Sequence, residues 1–165
     1  MEIVILNRKK SGEYSPTKLT YAIRIRDFND RKRLPKLMDS HLFQEVKIYR
    51  FDDADPDSHG RGPLKEGLAE RIITDFQKLR NNCECLMIHC NQGESRSPAV
   101  GLALNDIFDL GYDHFAFSGY HWQYNPHVFK QLIFAADRMR LLSDKIKSCA
   151  LEPLFLASCT GSSIC

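Results

Sequence analysis

Several things are scarce in this chain, and each scarcity excludes something. Across 165 residues no apolar run reaches the length of a membrane span, and no basic segment leads into an apolar signal core at the N-terminus. A net charge of +2 is too small to draw nucleic acid or an anionic membrane as partner. Internal repeats and low-complexity segments are lacking. The six cysteines do not form the framework of a secreted domain, since Cys149, Cys159 and Cys165 all fall in the last stretch. Cys83 and Cys85 stand two apart at the start of an expected strand, so their side chains should leave the same face as buried apolar thiols. The expectation is a reduced, cytoplasmic, monomeric chain. With 43% hydrophobic and 27% charged residues it has the make-up of one folded domain, read as residues 1–148. Residues 149–165 form a tail of no assigned role, without a prenylation signal because Ser162 stands fourth from the end.

What is present alternates between strand and helix. Met1–Leu6 reads as a strand and Asn7–Lys18 as a loop; Leu19–Arg26 alternates with strand period. Asp27–Arg33 mixes both charges and reads as a solvated turn, with a short helix expected within Pro35–Phe43. Val46–Phe51 alternates again and ends in the acidic run Asp52, Asp53, Asp55, Asp57. Pro63 suits a first helical position, and Leu64, Leu68, Ile72, Ile73, Phe76 and Leu79 recur at helical spacing. Cys85–Ile88 is a strand, Ser97–Leu110 a helix closed by Gly111. Phe115, Phe117, Tyr120, Trp122 and Tyr124 make an aromatic loop, and Asn125-Pro126 cap a helix from Val128 to about Lys147. This order predicts an α/β sandwich with parallel strands at its centre and a site at their C-terminal ends.

One stretch organises the rest: Leu86-Met87-Ile88-His89-Cys90-Asn91-Gln92-Gly93-Glu94-Ser95-Arg96-Ser97-Pro98. A strand runs into a short polar loop, and the loop into a helix N-terminus. Five residues lie between Cys90 and Arg96, enough to fold a cradle whose backbone N–H groups point inward. Together with the free N–H groups of the first helical turn this makes an anion site. The Arg96 fork matches phosphate oxygens. Cys90, on the cradle floor, lies where a helix dipole and a guanidinium both favour thiolate, so a nucleophile would sit beneath a bound phosphate.

These residues resemble the His-Cys-x5-Arg-Ser/Thr signature of the cysteine-based tyrosine and dual-specificity phosphatases. Tyr21–Asp27, the strand ending in Phe51-Asp52-Asp53, and the Asn125-Pro126 helix look like a small bacterial and phage-type branch of that superfamily. The resemblance implies a phosphatase-like sandwich: a central sheet of four or five mostly parallel strands with helices on both faces. It implies a phosphocysteine intermediate on Cys90, with Arg96 holding the phosphoryl oxygens and no metal or cofactor. The substrate implied is a phosphorylated protein or peptide. Asn91, Gln92, Gly93, Glu94 and Ser95 would form the substrate cradle, Gly93 in a conformation closed to other residues. Ser97 would hydrogen-bond Cys90, and His89 would orient the loop from beneath. One aspartate should protonate the leaving oxygen and then activate water. Of Asp52, Asp53, Asp55 and Asp57 the resemblance favours Asp53, with Asp52 as the alternative. The uncharged Asn91 and Gln92, with Glu94, add no cation for polyphosphorylated ligands, which suits phosphotyrosine. Phosphoserine or phosphothreonine would also be taken if the pocket is shallow. Alternatives are a catalytically weak phosphotyrosine-binding module, a phosphatase of non-protein monoesters, and an arsenate-reducing enzyme.

Overall fold

The computed structural model describes residues 1–54 and 62–142. Asp55, Asp57, the Ser58–Arg61 stretch, the end of the last expected helix and the C-terminal tail lie outside the described residues.

Four strands, β1 (Glu2–Asn7), β2 (Thr20–Arg26), β3 (Phe43–Arg50) and β4 (Cys85–Cys90), form one sheet in the order β1-β4-β2-β3, all parallel. Every residue of β4 is buried, as a central strand flanked on both sides requires, which is why its sequence is a continuous apolar run up to His89. On one face Tyr21, Ile23, Leu86 and Ile88 join the main core. The helices α2 (Glu66–Leu79), α3 (Arg96–Phe108) and α5 (Pro126–Arg138) pack there. Ile72, Ile73 and Phe76 of α2 are fully buried, each removal from water favouring the fold by about 1.5–3 kcal/mol. The Phe76 ring stacks on Tyr21 at 6.1 Å between centroids. On the other face α1 (Arg8–Glu13) lies against β1 and β4. No helix among the described residues is long and apolar enough to cross a membrane.

Several expectations from the sequence change. Asn7–Lys18 is not all loop: Asn7 Oδ1 accepts from Lys10 N at 2.8 Å and starts α1. The helix expected within Pro35–Phe43 does not form. Backbone carbonyls just before and at its start serve arginines instead, with Arg8 donating to Arg33 O and Arg24 to Pro35 O. Asp27–Arg33 is the mostly exposed turn expected, but two of its carboxylates are engaged: Asp30, its side chain only 10% exposed, binds Arg8 at 2.7 Å, and Asp27 binds Arg96. Part of the aromatic stretch is helical, α4 (His114–Tyr120), because Asp113 Oδ1 caps Ala116 N. There Phe117 is buried, whereas Phe115, Tyr120 and Trp122 are exposed. The last helix, α5, stops at Arg138, shortly before the left-handed Arg140 (φ 57°). Cys83 and Cys85 do not share a face: Cys83 precedes β4 and joins the main core, donating to Leu79 O, whereas Cys85 meets the Tyr14 hydroxyl on the α1 side. Both are buried, and burial pushes both thiols up.

Candidate active site

β4 ends at Cys90 and α3 begins at Arg96, so the loop between them sits at the C-terminal ends of the strands. Its shape is fixed from below. Gly93 has φ 78°, and a Cβ there would fall 2.8 Å from Asn7 N and Leu6 C and 2.9 Å from Leu6 O. Glycine is therefore required twice over, by conformation and by the close passage of the end of β1. The turn brings Gly93 N–H within 3.2 Å of Cys90 Sγ, to which it donates. Ser97 Oγ lies 3.2 Å from the same sulfur. The sulfur at the floor of the loop thus accepts from one backbone N–H and lies within hydrogen-bond reach of one hydroxyl. Gln92 and Glu94 are exposed on the rim.

Arg96 is 3% exposed and is held from two sides. Its Nη1 donates to Phe51 O at 2.7 Å and lies 2.6 Å from Asp27 Oδ1. Asp27 in turn accepts from Asn91 Nδ2 at 2.6 Å, which ties the guanidinium to the loop's first residue. Arg96 Nε is buried without a hydrogen-bond partner, with Asp53 Oδ2 4.0 Å away. A buried guanidinium N–H without an acceptor costs free energy, and a tetrahedral oxyanion in the cradle would supply the acceptor.

The two candidate acids differ in placement. Asp53 Oδ1 accepts from Ser95 Oγ at 2.7 Å and from Asn125 Nδ2 at 2.6 Å, which sets this carboxylate over the loop. Asp52 turns the other way: its Oδ1 accepts from Phe28 N at 2.7 Å, and its N–H donates to Gly62 O. Its carboxylate ties the β2–β3 connection instead of facing Arg96.

His89 is fully buried on the α1 side of the sheet, where its Nε2 accepts from Arg24 Nε at 2.9 Å. The neutral ring therefore carries its proton on Nδ1. Burial, together with the Arg24 guanidinium, holds its pKa down to about 4. This histidine is a neutral residue paired with Arg24, and its buried Nδ1 has no hydrogen-bond partner among the described residues. An open cavity of about 500 Å³ adjoins the loop, lined in part by Arg8, Asp27, Asp52, Asn91 and Gln92. Another, of about 530 Å³, lies at the opposite end of the strands around Met1, Glu2 and Cys83, away from the Cys90 loop.

Thus Cys90, Asn91, Gly93, Ser95, Arg96, Ser97 and Asp53 come together. Asp27 and Asn125 were missed by sequence reasoning. Asp27 had one signal, as the residue directly after a parallel strand, but it was hidden in a mixed-charge run. Asn125 was visible only as a helix cap.

A four-stranded parallel sheet with helices on both faces, and a loop of this kind after the central strand, defines a dual-specificity-phosphatase-like fold. Among solved structures, human DUSP28, a dual-specificity phosphatase, resembles this chain with a TM-score of 0.51. The likeness covers 84% of this chain and 93% of that one at 15% identity, and at that identity it is a likeness of fold. No protein-family model and no curated protein matches the sequence.

Proposed function

We propose that this chain is a phosphatase that hydrolyses phosphotyrosine in proteins or peptides through a phosphocysteine on Cys90. The observation that carries the reading is the buried Arg96, clamped by Asp27 and Phe51 O with its Nε unpaired, on the same short loop as Cys90. The Cys90 thiolate attacks phosphorus, the P–O bond to the leaving group breaks, and Asp53 delivers a proton to the departing oxygen. Arg96 and the loop N–H groups hold the three equatorial oxygens as charge builds on them. Water then attacks the phosphocysteine and gives its proton to Asp53. The sulfur leaves as thiolate toward Gly93 N–H and the Ser97 hydroxyl, both 3.2 Å away.

The substrate class follows from charge. The loop side chains of residues 91–95 add no cation and Glu94 is acidic, Asp27 and Asp53 stand beside Arg96, and in the adjoining cavity Arg8 and Lys32 are outnumbered by Asp27, Asp30 and Asp52, which disfavours ligands with several phosphates. A single phosphate on an aromatic arm suits the site. The strand ending Phe51-Asp52-Asp53 and the Asn125-Pro126 helix start favour kinship with the small bacterial and phage-type tyrosine phosphatases.

The test is hydrolysis of aryl phosphates and of a phosphotyrosine peptide by the wild type beside Cys90→Ser, Asp53→Asn and Asp52→Asn. Turnover should vanish in Cys90→Ser. Asp53→Asn should lose about 10²-fold or more on the peptide, together with the alkaline limb of its pH profile. Asp52→Asn should keep that limb. Tight peptide binding without turnover in the wild type would make the chain a binding module instead.

A further inference from the structure

Asn125 stands at a junction that the proposed mechanism does not explain. Its Oδ1 accepts from His127 N at 2.9 Å and Val128 N at 3.1 Å, which caps α5. Its backbone N–H donates to Ser95 O at 3.1 Å, which fastens the start of α5 to the Cys90 loop. Its Nδ2 donates to Asp53 Oδ1 at 2.6 Å. The cap fixes which way the amide faces: with Oδ1 committed to two backbone N–H groups, the atom turned to Asp53 is an amide nitrogen, which only donates. Ser95 Oγ lies 2.7 Å from the same Oδ1.

From this geometry we infer that Asn125 is the positioning residue of Asp53 and that it selects which oxygen carries the catalytic proton. Oδ1 accepts from both Asn125 Nδ2 and Ser95 Oγ, so a proton on Oδ1 would take one of its lone pairs and leave it a poorer acceptor for the 2.6 Å bond from an amide that cannot reverse. The proton of the acid therefore sits on Oδ2, the oxygen directed toward Arg96 Nε at 4.0 Å and so toward the cradle. A carboxylic acid with its proton on the outward oxygen could not reach the leaving group without rotating. Ser95 assists, but its hydroxyl can turn and accept, so the selection rests on Asn125. The same side chain makes the acid's position depend on the capped end of α5. The inference rests on the phosphatase reading and adds to it the residue that aims the acid.

The test compares two aryl phosphates, one with a strongly acidic leaving phenol that needs little protonation and one with an unactivated phenol. Asn125→Ser keeps a capping oxygen for α5 but is too short to reach Asp53. Asn125→Asp keeps size and cap and replaces the donor by an acceptor. Thermal melts check that both variants fold. If Asn125 aims the acid, both variants lose kcat on the unactivated substrate by about tenfold more than on the activated one, and the alkaline limb of the unactivated profile flattens. A merely structural role would lower both substrates by the same factor and leave the profile's shape, and that result would overturn the inference. Absence of turnover by the wild type on the activated substrate would instead remove the phosphatase reading itself.

Discussion

The buried pair of Arg24 and His89 should make stability depend on pH in a window that can be calculated. His89 is fully buried, and burial and then the neighbouring guanidinium hold it neutral, with a pKa near 4 against 6.5 for a free histidine. The unfolded chain takes up a proton here as pH falls through 6.5, whereas the native chain does not until about pH 4. Between these values the unfolded state binds more protons, so stability falls as pH falls. The stabilisation is fully present above 6.5 and absent below 4, and its full size is about 3 kcal/mol. Most of it, about 2–3 kcal/mol, should be lost by pH 4.5, which at a urea slope of about 2 kcal/mol/M moves the unfolding midpoint by about 1 M. Carboxylates titrate in the same range, so the quantity to measure is a difference of differences. Urea midpoints at pH 7.5 and 4.5 are compared for wild type and for His89→Gln, whose amide oxygen can still accept from Arg24. The wild type should lose about 1 M more than the variant. Equal losses in the two proteins, or a His89 ring resonance titrating near 6.5, would refute the reasoning.

Other consequences are as direct. Gly93→Ala should abolish turnover and cost about 1–3 kcal/mol of stability, because its Cβ meets the β1 backbone at 2.8 Å and φ is 78°; kinetics and a thermal melt check both. Asp27→Asn should lower kcat/KM for an aryl phosphate by roughly tenfold or more, since it removes the charge 2.6 Å from Arg96 Nη1; an unchanged kcat/KM would mean that Phe51 O alone positions the guanidinium. At neutral pH iodoacetamide followed by peptide mapping should leave Cys83 and Cys85 unmodified in the folded protein, because both are buried with raised thiols, and should label them once urea is added.

Strand order aside, much of the sheet was legible. β4 is a central strand and reads as an unbroken apolar run; β2 alternates and pairs Tyr21 and Ile23 with Leu86 and Ile88. The loop from Cys90 to Arg96 was legible because its residue types are dictated by chemistry and by one tight turn, at Gly93. What escaped was decided by single polar contacts across the fold. α1 has no apolar periodicity and exists because Asn7 caps it, with Ser11 buried beneath. The Pro35–Phe43 segment has helical composition, yet arginines from the neighbouring strands take carbonyls at its start. Asp27 is a loop aspartate by sequence, and only the sheet order brings it to Arg96, beside the Asp53 that the resemblance had favoured. Asp52 and Asp53 differ by one residue and so by the side of the chain they face, which composition cannot express.

In the proposed reaction phosphate passes through Cys90. Its most direct measurement is acid quench of the wild type during turnover of an aryl phosphate, followed by mass mapping of the peptide that spans residues 81–96. If phosphate passes through Cys90, that peptide carries one phosphoryl group, on Cys90, absent in Cys90→Ser and more abundant in Asp53→Asn on an activated substrate, where water attack is slowed. Sustained hydrolysis with no phosphoryl group on Cys90, or with the label on another residue, would contradict it.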